Sequence, residues 1–142
     1  MVVSEGPVLN AEILMPGGPA SGRCLALTAP ISFWGGVDPR SGTIIDARHP
    51  QLGEDIAGTV LALPGTIGSS SASAVLLELV HAGKAPAALL MDAPDAILLL
   101  GLMVAREMGW PTPPAFRLPA AEQAALSGRR LLLSPEGLIT AH

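Results

Sequence analysis

A glycine- and serine-rich loop between two apolar segments limits the possible folds of this chain more than any other feature. Residues 56–63 form a run rich in apolar and β-branched side chains, and residues 74–81 carry apolar side chains at helical spacing. The loop between them contains Gly65, Gly68 and three consecutive serines. This order predicts a strand, a glycine-rich turn and a helix that follow one another directly.

The serines at the start of this helix have two interpretations. The side-chain oxygens of Ser69, Ser70 and Ser71 could cap the helix by accepting hydrogen bonds from its first, unpaired N–H groups. The same N–H groups, together with the positive end of the helix dipole, could bind an anion or stabilise a serine alkoxide. Capping is the commoner role of such residues, and the sequence pattern alone leaves both interpretations open.

The remainder of the chain predicts short strands that alternate with helices. Residues 86–91 are an uninterrupted apolar run, which is typical of a strand buried on both faces and reached by a helical crossover. Gly83 is placed to end the first helix, and Asp95 is placed to cap a second helix over residues 96–108. Further strands are expected within residues 8–15, 23–34, 43–46, 115–117, 128–133 and 138–140, with a short helix over residues 119–126. We therefore predict an α/β fold with a mixed sheet, in a single domain that spans residues 1–142.

Charge and apolar content exclude some classes of protein. With a net charge of −4 and only eight Lys and Arg, the chain lacks the dense basic surface that binds nucleic acid. No apolar run approaches the roughly 20 residues that cross a membrane, and no signal-peptide pattern is visible, so we expect a cytoplasmic protein. Because 49% of the residues are hydrophobic and only 14% are charged, we expect a partner to cover part of the surface.

The cysteine content limits metal chemistry within the chain. Cys24 is the only cysteine, so it cannot form an internal disulfide or by itself hold a zinc ion or an iron–sulfur cluster. Any such metal would come from another chain. A small buried hydrophobic residue is the default role of Cys24.

Two loops that precede the serine loop carry further candidate residues. Gly35 and Gly36 permit positive φ angles, and with Asp38 they form a loop that can pass the backbone close to another group. A simple hairpin connection accounts for the same residues. His49 lies in a polar loop beside Pro50, where a surface or hydrogen-bonded role is more common than catalysis.

Short motifs spread over residues 10–117 together point to one family. The matching positions are Gly35-Gly36-Val37-Asp38-Pro39, Ser41-Gly42, Ile45-Asp46, His49-Pro50, Gly53, Ile56-Ala57-Gly58, Leu63-Pro64-Gly65, Gly68-Ser69, Ser73, Leu76, Glu78-Leu79, Ala85-Pro86-Ala87, Gly101 and Val104-Ala105. In this order they resemble the small, swivel-domain subunit of the aconitase X family. A single glycine motif would be a weak signal, whereas this many in register are specific.

The resemblance implies a swivelling domain of three layers, β/β/α, that closes over a larger subunit in a heterodimer. That subunit would hold an iron–sulfur cluster, [2Fe-2S] or [4Fe-4S], and its iron would act as a Lewis acid. The active site would lie between the chains and eliminate water from a hydroxy acid. The catalytic serine of the family carries over onto Ser69, which would be the proton-abstracting base. Gly68 would then contact substrate, Ser70 and Ser71 would either contact substrate or only cap the helix, and Gly35, Gly36 and Asp38 would form a site loop or the partner interface.

Two substrates fit the resemblance. One is cis-3-hydroxy-L-proline, which would be dehydrated on the way to Δ1-pyrroline-2-carboxylate, and the other is (R)-5-phosphomevalonate. We favour the first, because the serine loop has no Arg or Lys for a phosphate and carries Thr66-Ile67 where the family often has a basic residue before Gly68. A hypothesis of another class is a stand-alone regulatory domain that binds a small anion at Gly68 to Ser71.

Overall fold

The computed structural model describes residues 8–141, and its strands form an eight-stranded mixed sheet. The strands in chain order are β1 (Val8–Asn10), β2 (Glu12–Met15), β3 (Ala20–Ala26), β4 (Val60–Leu63), β5 (Ala88–Met91), β6 (Ala115–Arg117), β7 (Arg130–Leu133) and β8 (Leu138–Ala141). Their order across the sheet is β1-β8-β7-β3-β4-β5-β6-β2.

Two long helices lie on one face of this sheet. The helices in chain order are a short turn α1 (Phe33–Gly36), α2 (Ala72–Ala82), α3 (Ala96–Glu107) and α4 (Ala120–Gln123), the last followed by a 3-10 turn (Ala124–Leu126). α2 ends at Gly83, whose φ of 72° is left-handed. α3 begins after Asp95, whose side chain accepts hydrogen bonds from the N–H groups of Ile97 and Leu98. Both helices, their end signals and the short helix near residue 120 confirm the sequence predictions.

The parallel strands β3 to β6 form the centre of the molecule. β4 pairs in parallel with the second half of β3 and with β5, and β5 pairs in parallel with β6. Side chains of β4 alternate between two apolar cores. Leu61 and Leu63 join the core under α2 and α3, whereas Val60 and Ala62 join a core on the opposite face. This burial on both faces explains why parallel strands appear in the sequence as continuous apolar runs.

An antiparallel layer covers that opposite face. β7 pairs with the first half of β3, β8 pairs with β7, and β1 pairs with β8. Leu131, Leu133 and Ile139 from these strands are buried in the same core as Val60 and Ala62. The layers are therefore antiparallel strands, parallel strands and helices, which confirms the predicted α/β fold and its β/β/α arrangement.

Three of the expected strands were wrong. Residues 8–15 form two strands at opposite edges of the sheet, because β1 pairs with β8 and β2 pairs with β6. The strand expected over 23–34 ends at Ala26, and α1 follows it after a loop. Residues 43–46 make only isolated bridges, Val37 with Ile44 and Thr43 with Asp55. Alternation of apolar residues does not reveal where a chain changes its pairing partner.

Candidate active site

The serine loop lies where β4 ends, at the carboxyl edge of the parallel strands. The loop after β5, which contains Asp95, contacts the serine loop there, and so does Ile31 in the loop after β3. In open α/β sheets, ligands bind outside the carboxyl ends of the strands. This edge is therefore the place to look for a site.

Ser69 occupies the turn into α2. Its side chain is half-buried, and its Oγ accepts a hydrogen bond from the N–H of Ser71 at 3.3 Å. Its carbonyl oxygen accepts from the N–H of Ala72 at 3.0 Å. The structure thus fixes the Ser69 hydroxyl at the positive end of the helix dipole while leaving it partly open to solvent.

The other serines have different surroundings. Ser71 directly precedes α2 but makes no capping hydrogen bond with its side chain, so capping by Ser71 itself was wrong. Ser70 is exposed, and its carbonyl oxygen accepts from the hydroxyl of Ser73 at 3.2 Å. Ser69 is therefore the serine whose side-chain oxygen accepts a hydrogen bond from a backbone N–H at this helix start, whereas the hydroxyl of Ser73 donates to a carbonyl oxygen.

Backbone donors in the serine loop remain available for a ligand. Within residues 8–141, no hydrogen bond engages the N–H groups of Gly68, Ser69 or Ser70. Gly68 is exposed, and a side chain built there would meet nothing within 4 Å. These N–H groups and the dipole of α2 make the loop able to hold an anion or a developing negative charge.

The first part of the loop is fixed by its neighbours. The hydroxyl of Thr66 donates to Oδ2 of Asp95 at 2.6 Å, and Oδ1 of Asp95 accepts from Ile97 and Leu98 at the start of α3. The N–H of Ile67 donates to the carbonyl oxygen of Ile31 at 3.0 Å. The sequence analysis assigned Asp95 only to helix capping and missed this second contact. The available signal was an Asp in the loop that follows a buried parallel strand.

The loop with Gly35, Gly36 and Asp38 comes after β3 in the chain, and its residues have different surroundings. The turn α1, which contains both glycines, packs against α2, and Gly35 has a φ of 79° that favours glycine. The carboxylate of Asp38 instead closes its own turn by accepting from the N–H of Arg40 at 2.9 Å. That hydrogen bond, and then the nearby guanidinium of Arg40, hold the pKa of Asp38 below its usual value. Asp38 is thus engaged locally, whereas Gly36 lies beside Ile31, the residue that bridges Thr66 in the serine loop.

His49 has a structural role. It is 6% exposed, and its Nδ1 accepts from the N–H of Gln51 at 3.0 Å, so the ring proton lies on Nε2, 3.0 Å from the carbonyl oxygen of Ala29. Gln51 in turn donates to the carbonyl oxygen of Ala26 and accepts from the N–H of Thr28. Both ring nitrogens are therefore used to hold the segment after β3, and neither is available as a base.

Exposed apolar side chains border this edge. We call Trp34, Ile45 and Ile67 the apolar rim; they are 61%, 48% and 55% exposed. The rim belongs to the same edge as the serine loop, since α1 packs against α2, Ile45 donates to Gly36, and Ile67 follows Thr66 directly. Large apolar side chains that are exposed at one edge of a protein are typical of a surface that another protein covers.

The chain offers little for a metal ion. Within residues 8–141, no three His, Cys, Asp or Glu side chains are grouped as metal ligands. Cys24 is buried, and burial raises the pKa of its thiol to about 11, which disfavours the thiolate that a metal requires. The residues therefore do not fit an iron–sulfur cluster.

No helix in the described part of the chain is long and apolar enough to cross a membrane.

These observations agree with one class of protein. The family model for the aconitase X swivel domain matches residues 8–134, and the chain belongs to this family. The crystal structure of aconitase X from Thermococcus kodakaraensis, in its holo-form, has the same fold, with a TM-score of 0.83 and 28% identity. The match covers 96% of this chain and 99% of that chain.

Two relatives are named as dehydratases of different substrates. The cis-3-hydroxy-L-proline dehydratase of Pseudomonas aeruginosa is 48% identical over 103 residues, which are 70% of this chain and 18% of that protein. The phosphomevalonate dehydratase small subunit of Methanopyrus kandleri is 35% identical over 102 residues, which are 72% of this chain and 76% of that protein. The chain thus matches less than a fifth of the first relative and most of the second.

Proposed function

We propose that this chain is the small subunit of an aconitase X type dehydratase, in which Ser69 removes a proton from a hydroxy acid. The observation that carries the proposal is the hydrogen bond from the N–H of Ser71 to Oγ of Ser69, at the start of α2 and at an open edge of the sheet. The names of the relatives supply the reaction class.

The geometry suits a serine base. An ordinary serine hydroxyl is far too weak to take a proton from the carbon next to a carboxylate. As an alkoxide, however, Ser69 Oγ would keep the hydrogen bond from Ser71 and would lie at the positive end of the α2 dipole. The alkoxide takes the Cα proton, and the electron pair of the Cα–H bond forms the Cα=Cβ double bond. The hydroxyl on Cβ leaves as hydroxide with the electron pair of its C–O bond, and it takes the proton that Ser69 accepted, which releases water and restores the alkoxide.

The apolar rim supports a partner that completes the site. Trp34, Ile45 and Ile67 would be buried against a larger subunit, which would exclude water from the serine loop and so strengthen its electrostatic interactions. The first relative contains a much longer chain than this domain, and the second is named as a small subunit. Because this chain does not fit an iron–sulfur cluster, we assign any such cluster to the larger subunit.

The loop composition favours cis-3-hydroxy-L-proline as substrate. Residues 64–71 contain no Arg or Lys, and the exposed side chain next to Gly68 is the apolar Ile67. A phosphate would therefore depend on basic residues from the larger subunit. With hydroxyproline, elimination gives an enamine that tautomerises to Δ1-pyrroline-2-carboxylate. The similarity in length to a phosphomevalonate dehydratase small subunit makes (R)-5-phosphomevalonate the second candidate.

The test is the assembled enzyme with Ser69→Ala in this chain. We expect its kcat for cis-3-hydroxy-L-proline to fall about 10²–10⁴-fold, the usual contribution of a positioned base. Exchange of the Cα proton with deuterated water should fall in parallel. Ser21→Ala is the matched control, since Ser21 is an exposed serine on β3 and lies outside the serine loop.

Other outcomes separate the alternatives. If Ser69→Ala retains normal activity, Ser69 is not the base. If the wild-type enzyme turns over (R)-5-phosphomevalonate and not hydroxyproline, the substrate assignment moves to the second candidate. If the isolated chain binds small carboxylates tightly, and adding the larger subunit produces no dehydration of either substrate, the chain is a binding domain of the other class.

A further inference from the structure

A single carboxylate joins the serine loop to α3. Asp95 uses Oδ1 to accept hydrogen bonds from Ile97 at 2.9 Å and Leu98 at 3.1 Å, and uses Oδ2 to accept from the hydroxyl of Thr66 at 2.6 Å. A hydroxyl that donates to an ionised carboxylate at this distance makes one of the stronger hydrogen bonds in proteins. The start of α3 and the serine loop are therefore held at a fixed separation.

The fixed part of the loop ends close to the candidate base. Thr66 bridges Ile31, and the N–H of Ile67 donates to the carbonyl oxygen of Ile31 at 3.0 Å. Beyond Ile67, the N–H groups of Gly68, Ser69 and Ser70 make no hydrogen bond within residues 8–141. Thr66 is thus held from two sides, three residues before Ser69, and Ser69 is held on its other side by its hydrogen bonds to Ser71 and Ala72.

We infer that Thr66 is a positioning residue for Ser69, and that its hydrogen bond to Asp95 sets where the Ser69 hydroxyl meets the substrate. The inference rests on the proposed function, since the position of Ser69 matters for the rate only if Ser69 is the base. Misplacement of a reacting group by about 1 Å can cost about 10²-fold in rate. Because α3 is a long helix packed on α2, Asp95 gives the loop a rigid reference point.

The decisive variant is Thr66→Val, which keeps the shape of the side chain and removes the hydroxyl. In the assembled enzyme with cis-3-hydroxy-L-proline, we expect kcat to fall about 10–100-fold while KM changes less than about threefold. The kinetic isotope effect for substrate deuterated at Cα should rise, because proton removal becomes slower than the other steps. Thr66→Ser restores the hydroxyl and should recover kcat to within about threefold of the wild type.

A control separates positioning from a loss of stability. Ile139→Val removes one methylene group from the buried core behind the sheet, far from the serine loop in the fold, and it should lower the melting temperature without changing kcat or the isotope effect. If Thr66→Val lowers the melting temperature but keeps the wild-type kcat and isotope effect, Thr66 only stabilises the fold and the inference is overturned. Failure of Thr66→Ser to recover kcat would also overturn it.

The same set of variants distinguishes this inference from the proposed function. If Ser69→Ala retains full activity, the proposed function fails whatever Thr66→Val shows. If Ser69→Ala is inactive while Thr66→Val is fully active, the base assignment stands and only the positioning role is lost.

Discussion

The parallel and antiparallel halves of the sheet differ in what their connections carry. The loops at the carboxyl edge of the parallel half hold Ser69, Thr66 and Asp95, and hydrogen bonds join one loop to another. In the antiparallel half, β7 and β8 alternate buried side chains with exposed or half-buried ones, and the described residues of β1, β7 and β8 include none of the candidate site. Polar chemistry is thus concentrated where strands buried on both faces end, while the antiparallel layer supplies apolar cover.

The largest expected change in stability tests the antiparallel half alone. Ile139 is fully buried in the core between the two strand layers, so Ile139→Ala should cost about 2–5 kcal/mol of unfolding free energy. Urea denaturation of the purified chain measures this loss. We expect the assembled enzyme to keep its kcat well below the melting temperature. A large fall in kcat would show that the two halves are not separate in function.

A substitution between α2 and α3 should lower stability by a smaller amount and should also lower kcat. Gly101 lies in α3 against the first turn of α2, and a Cβ there would lie 2.9 Å from the carbonyl oxygen of Ser73 and 3.3 Å from its Cα. Gly101→Ala should therefore cost about 1–3 kcal/mol by overpacking and should also lower kcat, since Ser73 bonds to Ser70 in the serine loop. Denaturation and steady-state kinetics measure the two effects.

The control for Gly101→Ala is Glu107→Ala, which truncates an exposed side chain at the end of the same helix. It should change stability by less than about 0.5 kcal/mol. If Gly101→Ala leaves kcat unchanged, the contact between α2 and α3 does not set the position of the serine loop.

The smallest expected effect comes from a substitution of His49, which tests whether this residue has a structural or a catalytic role. His49→Ala removes the hydrogen bonds with Gln51 and Ala29 and should cost about 1 kcal/mol, because Gln51 and Ala29 are only half-buried and can bond to water instead. The shape of the kcat against pH profile should stay the same, since both ring nitrogens bond to backbone groups and His49 lies outside the serine loop. Loss of one limb of that profile in the variant would show that His49 acts in the reaction.

Elements fixed by local signals were predictable from the sequence. α2 follows from apolar spacing and ends where Gly83 adopts a left-handed φ, and α3 follows Asp95, whose carboxylate bonds to its first N–H groups. β5 was evident because a strand buried on both faces is apolar throughout. In each case, the residues that define the element are neighbours in the chain.

Features that depend on distant pairing were not predictable in the same way. β1 and β2 are separated by one residue, yet they join opposite edges of the sheet. Thr66 and Asp95 are 29 residues apart and meet only once β4 and β5 have paired. The position of Ser69 could be inferred from the glycine before it and from the family resemblance, whereas its bond to Ser71 depends on the backbone conformation of the turn. Its role as a base stays a prediction.

The shared pairing of β3 has a consequence for synthesis of the chain on the ribosome. The first half of β3, Ala20 to Arg23, pairs with β7, and its second half, Cys24 to Ala26, pairs with β4. The first half therefore stays unpaired during synthesis until the ribosome has made β7, which ends at Leu133. Until that partner emerges, the nascent polypeptide exposes the apolar side of its central strands. We therefore expect chaperone binding during translation to persist until residues 130–141 have left the exit tunnel, which ribosome-bound chains of graded length would reveal.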